Sequence, residues 1–277
     1  MLTTVEPLVV SRVTGKIGAE ISGVDLSQPL SGSALATIKD ALWAHGVIFF
    51  RDQDLTPQQY LDFVANFGEL SNSRPMPKLD GYPMVNVLTR AADEVPSVVG
   101  GVWHTDQAYR DIPTWGTVLY GVQVPEYGGD TAYINMEQVY DSLSDGLKST
   151  LEGLRAVHVH AQTQRGRPAE EIAKRPEVAV HPVVTTHPET GRKALFVSPG
   201  YTERFEGWTV EESAPLLAYL FEQAYRPEFG CRFSWRTGSL AFWDNRSVWH
   251  YAINDSTPST RVMHRLIVGE PGTTRPE

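Results

Sequence analysis

His104-Thr105-Asp106 sets an imidazole and a carboxylate two residues apart. On an extended segment, positions i and i+2 point to the same side, so both groups can reach one ion. A second imidazole, His250, stands far downstream. Two neutral nitrogens and one carboxylate oxygen fill three positions around a divalent ion and leave three open, the ligand set of oxygen-activating non-haem Fe(II) centres. Arg261 follows His250 and carries a planar fork suited to a carboxylate or sulfonate, so it could hold an anionic co-substrate beside the metal. Taken singly, each feature has a plainer account. The triplet fits a surface turn or a hydrogen-bonded pair, His250 a packed histidine, and Arg261 with Arg265 two solvated charges on a terminal strand.

Other histidines compete for the role, since the chain has eight. His158 and His160 share the i, i+2 spacing but have no carboxylate beside them and read as strand residues. His181 and His187 border prolines in turn-like contexts, and His264 between Arg261 and Arg265 reads as structural. Gly128-Gly129-Asp130-Thr131 is a tight turn leading into a strand, where glycine permits positive φ. Thr131 could offer its hydroxyl to an acid; the plain alternative is a hairpin turn followed by a β-branched residue.

The elements that must carry these groups are mostly short strands. Val47–Phe50 is a compact apolar run, expected to be a buried strand. Ser33–His45 has helical periodicity through Leu35, Ile38 and Leu42. Thr56-Pro57-Gln58-Gln59 is a capping box with Pro at the first helical position, opening a helix that turns Leu61, Val64 and Phe67 inward and stops at Gly68. Residues 71–102 read as a long loose stretch around one short strand, Met84–Leu88. Strands are expected at Thr114–Tyr120 and Thr131–Ile134, short helices at Gln138–Leu143 and Asp145–Leu154, and an exposed excursion at Arg165–Glu177. Val178–Thr186 and Lys193–Ser198 read as a strand pair. A second capping box at Thr209 opens a helix to about Ala224, and Cys231–Trp235 with Ser239–Trp243 read as a hairpin turning at Thr237-Gly238. Val248–Ala252 and Val262–Val268 complete the sheet. This pattern predicts a mainly β fold with peripheral helices (α+β), a sandwich or jelly roll. No composition shift marks a boundary, so residues 1–277 are expected to form a single domain.

Composition narrows the partners. The 277 residues are 41% hydrophobic and 21% charged, with a net charge of −9 and a pI near 5.4. That balance excludes a nucleic-acid binder relying on a basic surface. No stretch approaches the roughly 18 apolar residues of a membrane span. The lone Cys231 excludes an intrachain disulfide and fits a reducing compartment. The N-terminus lacks the basic and apolar regions of a secretory signal. The chain reads as a soluble cytoplasmic protein.

Set in order, the motifs resemble the taurine dioxygenase family of Fe(II)- and 2-oxoglutarate-dependent dioxygenases, which includes aryloxyalkanoate and alkylsulfatase dioxygenases. The likeness runs nearly end to end. It covers Gly18-Ala19-Glu20-Ile21, Gly23-Val24-Asp25-Leu26, Val47–Phe50 with Arg51-Asp52-Gln53, Trp103-His104-Thr105-Asp106 and Gly128-Gly129-Asp130-Thr131. It continues through His181-Pro182-Val183-Val184, Gly191–Val197, Trp243-Asp244-Asn245-Arg246, His250-Tyr251-Ala252 and Arg261–Arg265. The resemblance implies a double-stranded β-helix, with Fe(II) on His104, Asp106 and His250 and 2-oxoglutarate on Thr131 and Arg261. It implies a small anionic substrate at Arg265, and a homo-oligomer. Gln107, beside Asp106, joins the expected substrate residues. The implied chemistry uses O2 to give succinate, CO2 and a hydroxylated substrate. The intact Asp106 disfavours halogenation, which in related enzymes needs a small residue there.

The substrate pocket departs from the family's taurine enzyme. Gapless matching after Phe67-Gly68-Glu69-Leu70 puts Ser73 in place of a substrate-binding His, Met76 in place of a Tyr and Gly100 in place of an Asn. A pocket built on specific hydrogen bonds rejects ligands that cannot make them, so taurine itself is disfavoured. An aryloxyalkanoate, a sulfonate or a sulfate ester fits better. On the residues alone, three other readings stay open: a jelly-roll binding protein with altered catalysis, an oxygenase acting on an amino-acid-like or natural-product substrate, and a zinc hydrolase on the same ligands.

Overall fold

The computed structural model describes residues 8–71, 76–91, 100–160, 177–255 and 259–269. The strands are β1 (Val9–Arg12), β2 (Ala19–Ser22), β3 (Val47–Phe50), β4 (Lys78–Leu79), β5 (Tyr82–Arg90), β6 (Gly116–Gln123), β7 (Thr131–Asn135), β8 (Arg155–Val159), β9 (Val178–Pro182), β10 (Val184–Thr186), β11 (Lys193–Leu195), β12 (Thr202–Phe205), β13 (Gly230–Phe233), β14 (Leu240–Asp244), β15 (Val248–Ala252) and β16 (Arg261–Val268). The helices are α1 (Gly32–His45), α2 (Pro57–Ala65), α3 (Met136–Asp141), α4 (Asp145–Leu151) and α5 (Val210–Ala224).

One large sheet runs in the order β1-β2-β3-β14-β6-β16-β5-β4, and a smaller one in the order β13-β7-β15. These are the two walls of a jelly roll. Strands β12-β8-β9 and β10-β11 form two further small sheets. The central strands of the large sheet are covered on both faces, which is why they read as apolar runs rather than as alternating patterns. From β3, Ile48 and Phe50 point into one core with Leu240 and Phe242 of β14, and α1 and α2 cap it through Ile38, Leu42, Tyr60, Phe63 and Val64. Val47 and Phe49 point the other way, into a core between the two walls with Tyr133, Phe233, Trp235, Ala241 and Trp243.

Capping sets the helices in place. Thr56 accepts from the Gln59 backbone N–H, and the Gln59 side chain accepts in return from the Thr56 backbone N–H. Thr209 and Glu212 repeat this arrangement at α5.

Several expectations need correction. Helix α2 ends at Ala65, and its buried residues are Tyr60, Phe63 and Val64. The aromatic rings dominate that face, so Leu61 is only partly buried and Phe67 packs from beyond the helix. The loose stretch contains a nine-residue strand, β5, paired with β4 and β16. The expected hairpin at Thr237-Gly238 is a crossover between walls, because β13 pairs with β7 while β14 pairs with β3 and β6. The Val178–Thr186 run breaks at Val183, so that β9 pairs with β8 and β10 with β11. The excursion at 165–177 falls outside the described residues, apart from Glu177.

Phe242 joins the large sheet to the helical layer. It is fully buried, meeting Phe67 edge-on at 4.9 Å and Trp115 at 5.6 Å. Phe242→Ala is expected to cost about 3–5 kcal/mol of unfolding free energy, measured by urea denaturation. A loss below about 1 kcal/mol would mean that the layer is held elsewhere.

Candidate metal and co-substrate site

Strands β7 and β15 pair antiparallel with His250 opposite Tyr133. The free edge of β15 takes one more partner, the segment entering from Gly100. Ala252 N–H donates to Gly100 O at 2.9 Å, and His250 and His104 exchange both backbone bonds, at 2.8 and 3.2 Å. This lone bridge brings the two imidazoles to a centroid separation of 4.1 Å. Gly200 packs against the bridge, since a Cβ there would lie 2.8 Å from His104 Cβ and 3.2 Å from Trp103 O.

Asp106 completes the group. Its Oδ1 is 3.9 Å from His104 Nε2 and its Oδ2 is 3.8 Å from His250 Nε2. One ligand atom from each of His104, Asp106 and His250 lies within 4.8 Å of the others, and all three residues are buried. His104 Nδ1 lies 2.7 Å from Val102 O. A carbonyl can only accept, so Nδ1 carries the proton and Nε2 keeps its lone pair for an ion.

Asn245 holds the carboxylate from behind. Its Oδ1 accepts from the Asp106 backbone N–H at 3.2 Å and from Trp243 Nε1 at 3.0 Å. Its Nδ2 donates at 2.9 Å to Thr117 Oγ1, which in turn donates to Asp106 Oδ2 at 2.8 Å. Thr105 Oγ1 bonds the Asn245 carbonyl. The turn bearing Asn245 is itself pinned by a buried ion cluster. His187 Nε2 lies 3.0 Å from Asp244 Oδ2, and Arg246 grips Asp244 and Glu189. Burial pushes the Asp244 carboxyl up, but Arg246 and His187 outweigh it and hold it well below the usual carboxylate range. The sequence places His187 in a turn-like context beside Pro188. Its Pro188 neighbour gave no sign that the ring is buried against Asp244.

The remaining predicted residues fall into three places. Arg265 is buried, with Nη2 2.7 Å from Asp106 Oδ2. This is a charge contact outside hydrogen-bond geometry. Met76 Sδ lies 4.0 Å from Arg265 Nη1. Gln107 is fully buried with φ 58°, turning the chain sharply after Asp106, while Arg110 N–H bonds its carbonyl at 2.9 Å. Thr131 accepts from Trp235 Nε1 at 3.0 Å, and the Arg261 guanidinium lies 5.9 Å from the Trp235 ring centre. Burial, then the nearby Arg90, bring the Arg261 pKa down to about 10. Ser73 lies outside the described residues. Gly100 has φ +79° and carries the edge bond to Ala252.

The donor set suits a divalent iron ion. Two imidazole nitrogens and one carboxylate oxygen converge, and on His104 the proton sits away from the centre. The Arg261 corner suits a carboxylate, because Arg261 Nε is buried and has no hydrogen-bond partner. Buried donors are nearly always satisfied in the working protein. Sequence reading missed Trp235, Thr117 and Asn245 as parts of the site. Only Asn245 had a signal, its place in Trp243-Asp244-Asn245-Arg246.

The family described as Taurine catabolism dioxygenase TauD, TfdA family matches residues 9–267. An alkylsulfatase from Acinetobacter baylyi is 35% identical over 281 residues, covering 97% of this chain and 87% of the relative. An alpha-ketoglutarate-dependent sulfate ester dioxygenase from Pseudomonas putida is 32% identical, covering 94% and 89%. The crystal structure of a taurine dioxygenase from Burkholderia xenovorans superposes with a TM-score of 0.82 at 39% identity, covering 94% of this chain and 89% of that one.

Asn245→Ala removes both the backbone and the Thr117 support of Asp106. Metal affinity is expected to fall about 10–100-fold, read by calorimetric titration with Mn(II), while the far-ultraviolet circular dichroism stays that of the wild type. Equal affinity would show that Asp106 is positioned without Asn245.

Proposed function

The chain belongs to the Taurine catabolism dioxygenase TauD, TfdA family, and on that premise we propose that His104, Asp106 and His250 hold its Fe(II) while Thr131 and Arg261 hold the far carboxylate of its 2-oxoglutarate. The chain is an Fe(II)- and 2-oxoglutarate-dependent dioxygenase. With O2, the iron and 2-oxoglutarate supply oxidative decarboxylation to succinate and CO2, coupled to hydroxylation of a C–H bond. The observation that carries the residue assignment is the buried convergence of two imidazoles and a carboxylate on one point.

The protein's own groups bind and orient. The Nδ1–H of His104 stays on Val102 O, so the ring presents Nε2 throughout. Thr117 Oγ1 and the Arg265 charge sit on the Asp106 oxygen nearest His250, leaving Oδ1 facing His104. Burial of all three ligands excludes water and strengthens each charge contact.

The substrate is a small organic anion, with a sulfate ester ranked first, then a sulfonate or an aryloxyalkanoate. Two relatives support this order, one named an alkylsulfatase and the other a sulfate ester dioxygenase. Arg265 supplies the buried cation for the anionic end, beside the unbranched thioether of Met76. Gln107 and Ser73 complete the substrate side of this reading. Hydroxylation at the carbon bearing the ester oxygen would give an unstable product that releases sulfate and an aldehyde. The whole chain acts as one catalytic domain, as a homo-oligomer in a reducing cytoplasm. The lone Cys231 is compatible with that setting, being buried with its thiol pushed up to about 12.

The test is succinate formation from 2-oxoglutarate across hexyl sulfate, hexanesulfonate, phenoxyacetate and neutral hexanol. Stimulation is expected only with the anions, and His104→Ala should abolish it. Equal stimulation by hexanol, or none by any anion, would contradict the reading.

A further inference from the structure

We propose that Arg90 is a second co-substrate residue, forming with Arg261 a two-guanidinium clamp on the far carboxylate of 2-oxoglutarate. This rests on the reading above, which places that carboxylate at Arg261 and Thr131.

Arg90 ends β5 directly opposite Arg261, the first residue of β16. Cross-strand partners share a face, and like charges placed directly opposite destabilise a sheet. Two arginines in such a position call for an anion between them. Among the described residues no carboxylate fills that role. Asp130, the aspartate whose charge acts on Arg261, is engaged by Arg232 at 2.5 Å and Ser234 at 2.9 Å. Asp255 is engaged by Arg232 at 3.0 Å and the Gly129 N–H at 2.9 Å.

The donors point the same way. Arg90 Nη2 and Arg261 Nε are both buried and both lack a hydrogen-bond partner. One buried N–H without a partner needs an explanation. Two, on facing guanidinium groups, share one explanation in a carboxylate that takes a donor from each fork. Trp235 closes the corner, its ring under Arg261 and its N–H on Thr131. The positive charge on Arg90 also lowers the Arg261 pKa, so the two guanidinium groups feel one another.

The distinguishing feature of a far-carboxylate clamp is that it ignores the chelating end. Pyruvate carries the same 2-oxo acid head as 2-oxoglutarate and no second carboxylate. The experiment is calorimetric titration of Mn(II)-loaded protein with 2-oxoglutarate and with pyruvate, for the wild type, Arg90→Gln, Arg90→Lys and Arg261→Gln. Arg90→Gln is expected to weaken 2-oxoglutarate about tenfold, leave pyruvate unchanged and be largely rescued in Arg90→Lys. Because it removes a like-charge pair, its ligand-free melting temperature should equal or exceed that of the wild type. Steady-state assays should show a raised KM for 2-oxoglutarate with kcat retained.

The clamp is overturned if Arg90→Gln binds 2-oxoglutarate like the wild type while Arg261→Gln loses it. Equal weakening toward pyruvate, or a lowered ligand-free melting temperature, would also overturn it by making Arg90 a structural residue. If Arg261→Gln itself binds 2-oxoglutarate normally, the site assignment beneath the clamp fails instead.

Discussion

The two backbone hydrogen bonds between His104 and His250 are the constraint on which the site depends. They join residues far apart in sequence across a single isolated bridge. A side chain's direction follows its backbone, so the bridge sets the two imidazoles side by side, their ring centres 4.1 Å apart and their planes tilted by 46°. Everything nearby protects that geometry. Strand β7 holds β15 from one side, and Gly200 leaves room for the segment carrying His104 on the other. Asn245 ties the third ligand to the end of β14.

The cost of this arrangement is a dense set of buried polar groups, which are stabilising only when satisfied. Asp244, His187, Arg246 and Glu189 form a closed cluster in which each charge meets an opposite one. Asn245 uses its side-chain oxygen and nitrogen on three partners. The groups around Arg261 are different. Arg90 and Arg261 oppose each other with buried donors unmet. The same interior thus contains a satisfied network behind His104, Asp106 and His250 and unmet donors in the corner of Arg261.

Much of this was legible in the sequence where local physics decides. The Thr56 and Thr209 caps depend on four consecutive residues, and both capping boxes form. The doubly buried β3 announces itself as an unbroken apolar run. The His-x-Asp spacing, with His250 and Arg261 in order, was enough to propose a metal and an acid. Pairing was not legible, because it is decided by distant residues. Cys231–Trp235 and Ser239–Trp243 look like a hairpin around a Gly turn, yet Gly121, hydrogen-bonded to Gly238, helps carry the chain across to the other wall. Nor could sequence show that Arg265 lies against Asp106, or that Arg90 faces Arg261, since both contacts depend on register between strands.

In the proposed site His104, Asp106 and His250 hold Fe(II) so that 2-oxoglutarate chelates it. The most direct test is the visible spectrum of anaerobic protein loaded with Fe(II) and 2-oxoglutarate, where chelation gives a weak metal-to-ligand charge-transfer band. The wild type should show the band, and His104→Ala and His250→Ala should lack it. A fully metal-loaded wild type without the band, or a band that survives in His104→Ala, would contradict the account.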